Sequence, residues 1–106
     1  AVDAEAFRQA LRAVRIENWN KVTRLTTEGN SVRLSTRDEE GGEATATVPA
    51  VLDGEPTKVA LDHTYLSEYF ASVQGQVLIR ANGAQYPVLF CSQDYEHVIM
   101  PLAVQW

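Results

Sequence analysis

Two histidines, one cysteine and an acidic run are the side chains in this chain that could do chemistry, and their neighbourhoods limit each of them. Asp94-Tyr95-Glu96-His97 has the composition of a metal-ligand cluster. Successive side chains of a strand point to opposite faces, however, so Glu96 and His97 are badly placed to share one ion. Cys91 falls in the apolar run that begins Val88-Leu89-Phe90, with no basic neighbour to lower its pKa, which fits an inert core thiol better than a nucleophile. As the single cysteine it forms no internal disulfide and no multi-cysteine zinc site, a pattern that fits a reducing compartment and, by default, the cytoplasm. Asp38 to Glu43 reads as a solvated loop. Nucleophile elbows, phosphate-cradling glycine loops and paired-carboxylate patterns are missing from the sequence, and nothing calls for a metal or a cofactor. A small enzyme using His63 or His97 is the remaining catalytic alternative.

A different kind of chemistry is written on the first helix. Arg8, Arg12 and Arg15 recur at i, i+4 and i+7, with Lys21 just beyond. Such a stripe suits loose, sequence-independent contact with phosphates, although an ordinary solvated helix face has the same pattern. The whole chain carries a net charge of −5, so any attraction for nucleic acid has to be local.

The elements that position these residues are written twice. Val2-Asp3 opens one helix and Leu61-Asp62 opens another, so that Phe7, Leu11 and Val14 correspond to Leu66, Phe70 and Val73. Farther on, Val32 to Asp38 corresponds to Val88 to Asp94. Asp3 is a good N-cap, with Val2 and Phe7 at hydrophobic-staple spacing around it. Phe7, Ala10, Leu11 and Val14 give helix one its apolar face, and the helix is expected to fade over Arg15 to Asn18. Three strands are expected at 22–27, 31–37 and 43–48, separated by the Glu28-Gly29-Asn30 turn and the acidic loop. In the second half a strand at 57–61 leads into a helix striped by Leu66, Tyr69, Phe70 and Val73 and ended by Gly75. Strands at 76–81, 86–92 and 95–102 follow, with Asn82-Gly83 turning the first pair. The repeating unit is therefore β-α-β-β-β, and the fold class is α+β, with two helices side by side on a curved antiparallel sheet. With 106 residues and 45% hydrophobic content, the chain has room for one domain with a real core and no room for two. It lacks an apolar run of the roughly 20 residues that span a membrane, and a signal-peptide pattern. Its abrupt start beside the first helix suggests a piece of a longer protein.

Val88-Leu-Phe-Cys, Tyr95-Glu-His-Val-Ile-Met-Pro101 and, upstream, Leu61-Asp-His-Thr-Tyr-Leu66 resemble the C-terminal third of the bacterial sliding clamp, the β subunit of the replicative DNA polymerase. The resemblance runs over essentially the whole chain and implies a processivity-fold domain from a three-domain protein. It further implies a ring of two such protomers, a homodimer, whose helices line a hole for duplex DNA; the function is tethering without catalysis. In that family, polymerase, clamp-loader and other replication and repair proteins insert a short linear peptide, begun by Gln and ended by aliphatic and aromatic residues, beside the C-terminal strand. The matching positions are Tyr65, Pro87, Val98, Ile99, Met100, Pro101 and Leu102. A flexible Met beside an aromatic ring and a proline makes an adaptable apolar hollow, although such an alternating strand more often has Val98 and Met100 simply facing the core, with Ile99 covering the other side. Arg8, Arg12, Arg15 and Lys21 become the DNA-facing residues, and Ile16, Glu17 and Trp19 fall in the segment used at the subunit joint.

The sequence also departs from the family. Asp62 stands where Asn is usual, the common Met-Pro-x-Arg-Leu ending becomes Met100-Pro-Leu-Ala-Val104 before Gln105-Trp106, and Glu17 interrupts a segment usually apolar. Loss of the arginine weakens the polar rim of the peptide site. The alternative to a clamp domain is a free-standing peptide-binding module of clamp-like fold that never encircles DNA.

Overall fold

The computed structural model describes residues 1–15, 21–38, 40–52, 55–92 and 95–104. Each repeat starts with a strand that runs straight into a capped helix. β1 (Val2–Asp3) leads into α1 (Ala4–Ala13), and β5 (Lys58–Asp62) leads into α2 (His63–Ala71). The Asp3 carboxylate accepts from the Ala6 amide at 3.0 Å; that of Asp62 accepts from the Thr64 and Tyr65 amides at 2.8 and 3.2 Å. These amides have no partner within their own first turn, so the two aspartates fix where both helices begin. The staple residues Val2 with Phe7, and Leu61 with Leu66, are all buried.

Between and after the helices run β2 (Val22–Glu28), β3 (Ser31–Arg37), β4 (Glu43–Pro49), β6 (Gln76–Arg80), β7 (Val88–Ser92) and β8 (Tyr95–Ile99). The β-α-β-β-β unit expected from the sequence is therefore present twice. The expected curved sheet consists of two four-stranded antiparallel sheets, ordered β1-β6-β7-β8 and β4-β3-β2-β5. The repeats exchange their leading strands: β1 pairs with β6 of the second unit, and β5 pairs with β2 of the first. Neither sheet is complete without a strand from the other half, so the repeats fold as one body. A bridge between Val2 and Ala50 joins the two sheets at one corner. At the pseudo-equivalent corner the Leu102 amide donates to the Ala60 carbonyl at 2.8 Å, pinning the C-terminal segment along β5.

Some boundaries differ from the periodicity, each for a local reason. α2 ends at Ala71 because the Ser72 hydroxyl and amide both donate to the Tyr69 carbonyl, and Gly75, at φ 79°, lies in the link to β6. β7 starts after Pro87 and β8 stops before Pro101, since proline has no amide to give a ladder. Asn82-Gly83 belongs to a longer loop between β6 and β7, whereas Gly29, at φ 54°, makes the tight β2–β3 turn.

The helices meet through Phe7 and Phe70, whose rings stack with centroids 4.2 Å apart. Phe70 also meets Phe90 and Tyr69 edge-on. Burying each of these rings contributes roughly 1.5–3 kcal/mol, and aromatic pairing adds about 0.5–1.5 kcal/mol per contact. All of the expected helix-face residues, Phe7, Ala10, Leu11 and Val14 with Leu66, Tyr69, Phe70 and Val73, lie in this core.

Candidate functional site

The two repeats differ where their second helix turn meets their last strand. In the first unit, α1 packs against β4 through small residues: Ala10 is buried, and Ala6 and Ala46 pack against the core. At the corresponding places the second unit has Tyr65, Tyr69 and His97. Rings cannot nest as closely as methyl groups, and α2 and β8 leave between them a hollow of about 380 Å³. Its lining is Tyr65, Glu68, Tyr69, Ser72, His97, Val98 and Ile99. The Tyr69 and His97 rings are stacked at 5.2 Å and an interplanar angle of 24°, forming one wall. Tyr69 is 4% exposed, and its buried hydroxyl has no hydrogen-bond partner among the described residues.

β8 is an edge strand, and its phase is the reverse of the core alternative. Ile99 is buried at 3% exposure, whereas Val98 and Met100 are 53% and 62% exposed. Tyr65, at the lip of the hollow, is 57% exposed. Of the residues singled out in the sequence, Tyr65, Val98 and Ile99 come together in the hollow; Pro87, Met100, Pro101 and Leu102 are outside its lining. Met100 and Leu102 nevertheless continue the exposed apolar edge beyond Val98. Glu68, Tyr69, Ser72 and His97 were not anticipated. The helical period places Tyr69 in the core stripe, and the sequence offers His97 only as a metal ligand or a catalytic side chain. The signal for both was the Ala-to-aromatic replacement between the repeats.

The arginine stripe is not uniform. Arg12, Arg15 and Lys21 are exposed. Arg8, expected beside them among the DNA-facing residues, is half-buried and engaged by the second helix. Its Nη1 donates to the carbonyls of Phe70 and, at 2.7 Å, Val73, at the C-terminal end of α2. Nε and Nη2 meet the Glu5 carboxylate at 2.8 and 2.6 Å, and the side chain is only 20% exposed. The carbonyls ending a helix lack internal partners and carry its negative pole, so a guanidinium there is a C-terminal cap. The Thr36 hydroxyl serves α1 likewise, donating to the Val14 carbonyl. Ile16, Glu17 and Trp19, expected at a subunit joint, lie outside the described residues, as do Asp94, Gln105 and Trp106.

His63, the other candidate for chemistry, opens α2 and is buried. Its Nδ1 lies 2.8 Å from the Thr23 hydroxyl, and its amide donates to the Lys21 carbonyl at 2.8 Å. Burial, and then the Arg15 guanidinium, push the imidazole pKa down to about 4 against the opposing Asp62 carboxylate. A neutral imidazole hydrogen-bonded to a threonine holds β2 to the start of α2. Among the described residues no group of three or more His, Cys, Asp or Glu is placed to hold a metal ion, and no helix is long and apolar enough to cross a membrane.

Solved structures share this architecture. The chain matches the DNA polymerase sliding clamp of Caulobacter crescentus with a TM-score of 0.85 and 25% identity, over 97% of this chain and 29% of the clamp. For the Pseudomonas aeruginosa sliding clamp, the TM-score is 0.88 at 18% identity, over 97% of this chain and 30% of that one. The DNA polymerase III β subunit of Thermotoga maritima gives 0.89 at 16% identity, over 98% and 30%. No protein-family model matches the sequence, and no curated protein matches it. The chain has the fold of a bacterial sliding-clamp domain, and it spans about 30% of the length of the clamps to which it is similar.

Proposed function

We propose that this chain is the C-terminal domain of a DNA polymerase processivity clamp, one of three domains per protomer in a homodimeric ring around duplex DNA. In this reading it has no catalytic role and works in the cytoplasm. It docks short linear peptides of polymerase, clamp-loader and other replication proteins along β8 and the start of α2. The observation that carries the proposal is the phase of β8. Ile99 fills the core position, and Val98, Met100 and Leu102 stay exposed on an edge bordered by Tyr65. Exposed apolar side chains beside a concave site are what aliphatic and aromatic peptide anchors need, and anchors of that kind supply most of the affinity. Arg12, Arg15 and Lys21 are the cations left to face DNA, with contacts that are sequence-independent and screened by salt. Arg8 contributes by holding the two helices together.

The test is an NMR titration of the domain with the peptide Gln-Leu-x-Leu-Phe. Expected are shift changes centred on Tyr65 and Val98 to Leu102 that vanish when the Leu and Phe anchors are replaced by Ala. Silence at these residues at millimolar peptide refutes the docking assignment.

A further inference from the structure

Apolar anchors explain the exposed edge of β8 but not the hollow beside it. Among the described residues its lining includes three rings, Tyr65, Tyr69 and His97, and one acidic group, Glu68, and no Lys or Arg lines it. Glu68 is exposed and has no ion pair among the described residues, although Glu5, Glu28 and Glu43 each meet an arginine. The Ser72 hydroxyl is occupied by the Tyr69 carbonyl at 3.0 Å. Among the described residues the Tyr69 hydroxyl is buried without a partner, a costly state for a polar group.

We infer that the hollow between α2 and β8 receives an arginine side chain of the docking peptide, adjacent to the apolar anchors. A guanidinium matches the rings and the carboxylate of the lining. Its planar face stacks on aromatic rings, which attract cations through their quadrupole. Its forked N–H groups donate both to a carboxylate, here Glu68, and to a neutral oxygen, here the Tyr69 hydroxyl. Lysine carries the same charge but cannot stack as a plane, and an aliphatic side chain leaves both oxygens unanswered. This inference rests on β8 as the peptide dock and adds a polar specificity element to it.

The test uses two probes, so that its failure is separable from failure of the dock. The first is N-acetyl-arginine-N-methylamide against its citrulline analogue, which has nearly the same shape and no charge. The arginine probe is expected to shift Glu68, Tyr69 and His97, and citrulline is not. The second is the Gln-Leu-x-Leu-Phe peptide extended by Arg or by citrulline, on either side in turn. The better-placed Arg peptide is expected to bind about fivefold more tightly than its citrulline twin. Glu68→Gln is expected to remove most of that difference, and Tyr69→Phe, which keeps the ring stack, to retain part of it. Equal affinity of the Arg and citrulline peptides on both sides, with shifts still centred on Val98 to Leu102, overturns the inference and leaves the dock standing. Shifts from the capped arginine with no response to the anchors keep the inference's cation site and remove the dock. Silence from both probes overturns both.

Discussion

Arg8 offers the sharpest test of how this fold is held together, because its position on the helix suggests one role and its contacts another. Replacing it by alanine removes two hydrogen bonds from a charged donor to the carbonyls of Phe70 and Val73. A bond of that kind contributes about 1.5–3 kcal/mol. The side chain is 20% exposed, and water can reach the freed carbonyls once the guanidinium is gone, so the two together come to about 2 kcal/mol. The Glu5 contact lies in solvent and adds little. For a domain of this size, about 2 kcal/mol lowers the melting temperature by roughly 10 °C. Urea unfolding followed by circular dichroism measures the loss directly, and Arg8→Lys, which keeps one charge able to reach one carbonyl, is expected to recover about half of it. A phosphate-contacting Arg8 would behave differently: its removal would leave stability unchanged and weaken the salt dependence of DNA binding by the assembled ring. Stability of Arg8→Ala within about 0.5 kcal/mol of the parent, the range of ordinary surface substitutions, refutes the capping role.

Two further outcomes follow from polar groups at the helix starts. The imidazole of His63 titrates near 4 in the folded chain and near 6.5 in the unfolded one, so the unfolded state binds more protons between those values. Stability is therefore complete above about pH 6.5 and falls as the pH approaches 4, by roughly 3 kcal/mol in total. His63→Gln flattens that part of the profile, and an unchanged slope in the variant removes His63 as its cause. Asp3→Ala and Asp62→Ala each cost about 1 kcal/mol, because the same cap is used twice; Asp62→Asn stays within a few tenths, since an amide oxygen also accepts from the Thr64 and Tyr65 amides. Chemical denaturation of the three variants checks this, and a neutral Asp62→Ala contradicts it.

Much of this architecture is local in origin and was therefore written in the sequence. Asp3 and Asp62 cap their own first turns, the stripes at Phe7 to Val14 and Leu66 to Val73 obey a helical period, and the corresponding landmarks revealed the repeated unit. These signals act within a few residues, where hydrogen-bond reach and side-chain period leave little choice. The exchange of β1 and β5 between the repeats was not legible, because strand partners are selected by packing between distant segments. The same holds for the phase of β8. Alternation puts Val98 and Ile99 on opposite faces, but the side on which the helices lie decides which face is core, and they lie over Ile99. Arg8 joined its neighbours in a stripe by spacing alone, yet its partners Phe70 and Val73 belong to the other repeat. The hollow, too, exists only once both repeats are in place. Small residues at Ala10 and Ala46 let one helix close on its strand, while Tyr69 stacked on His97 holds the other open. Side-chain volume is written in the sequence, but where two volumes meet is set by the tertiary packing.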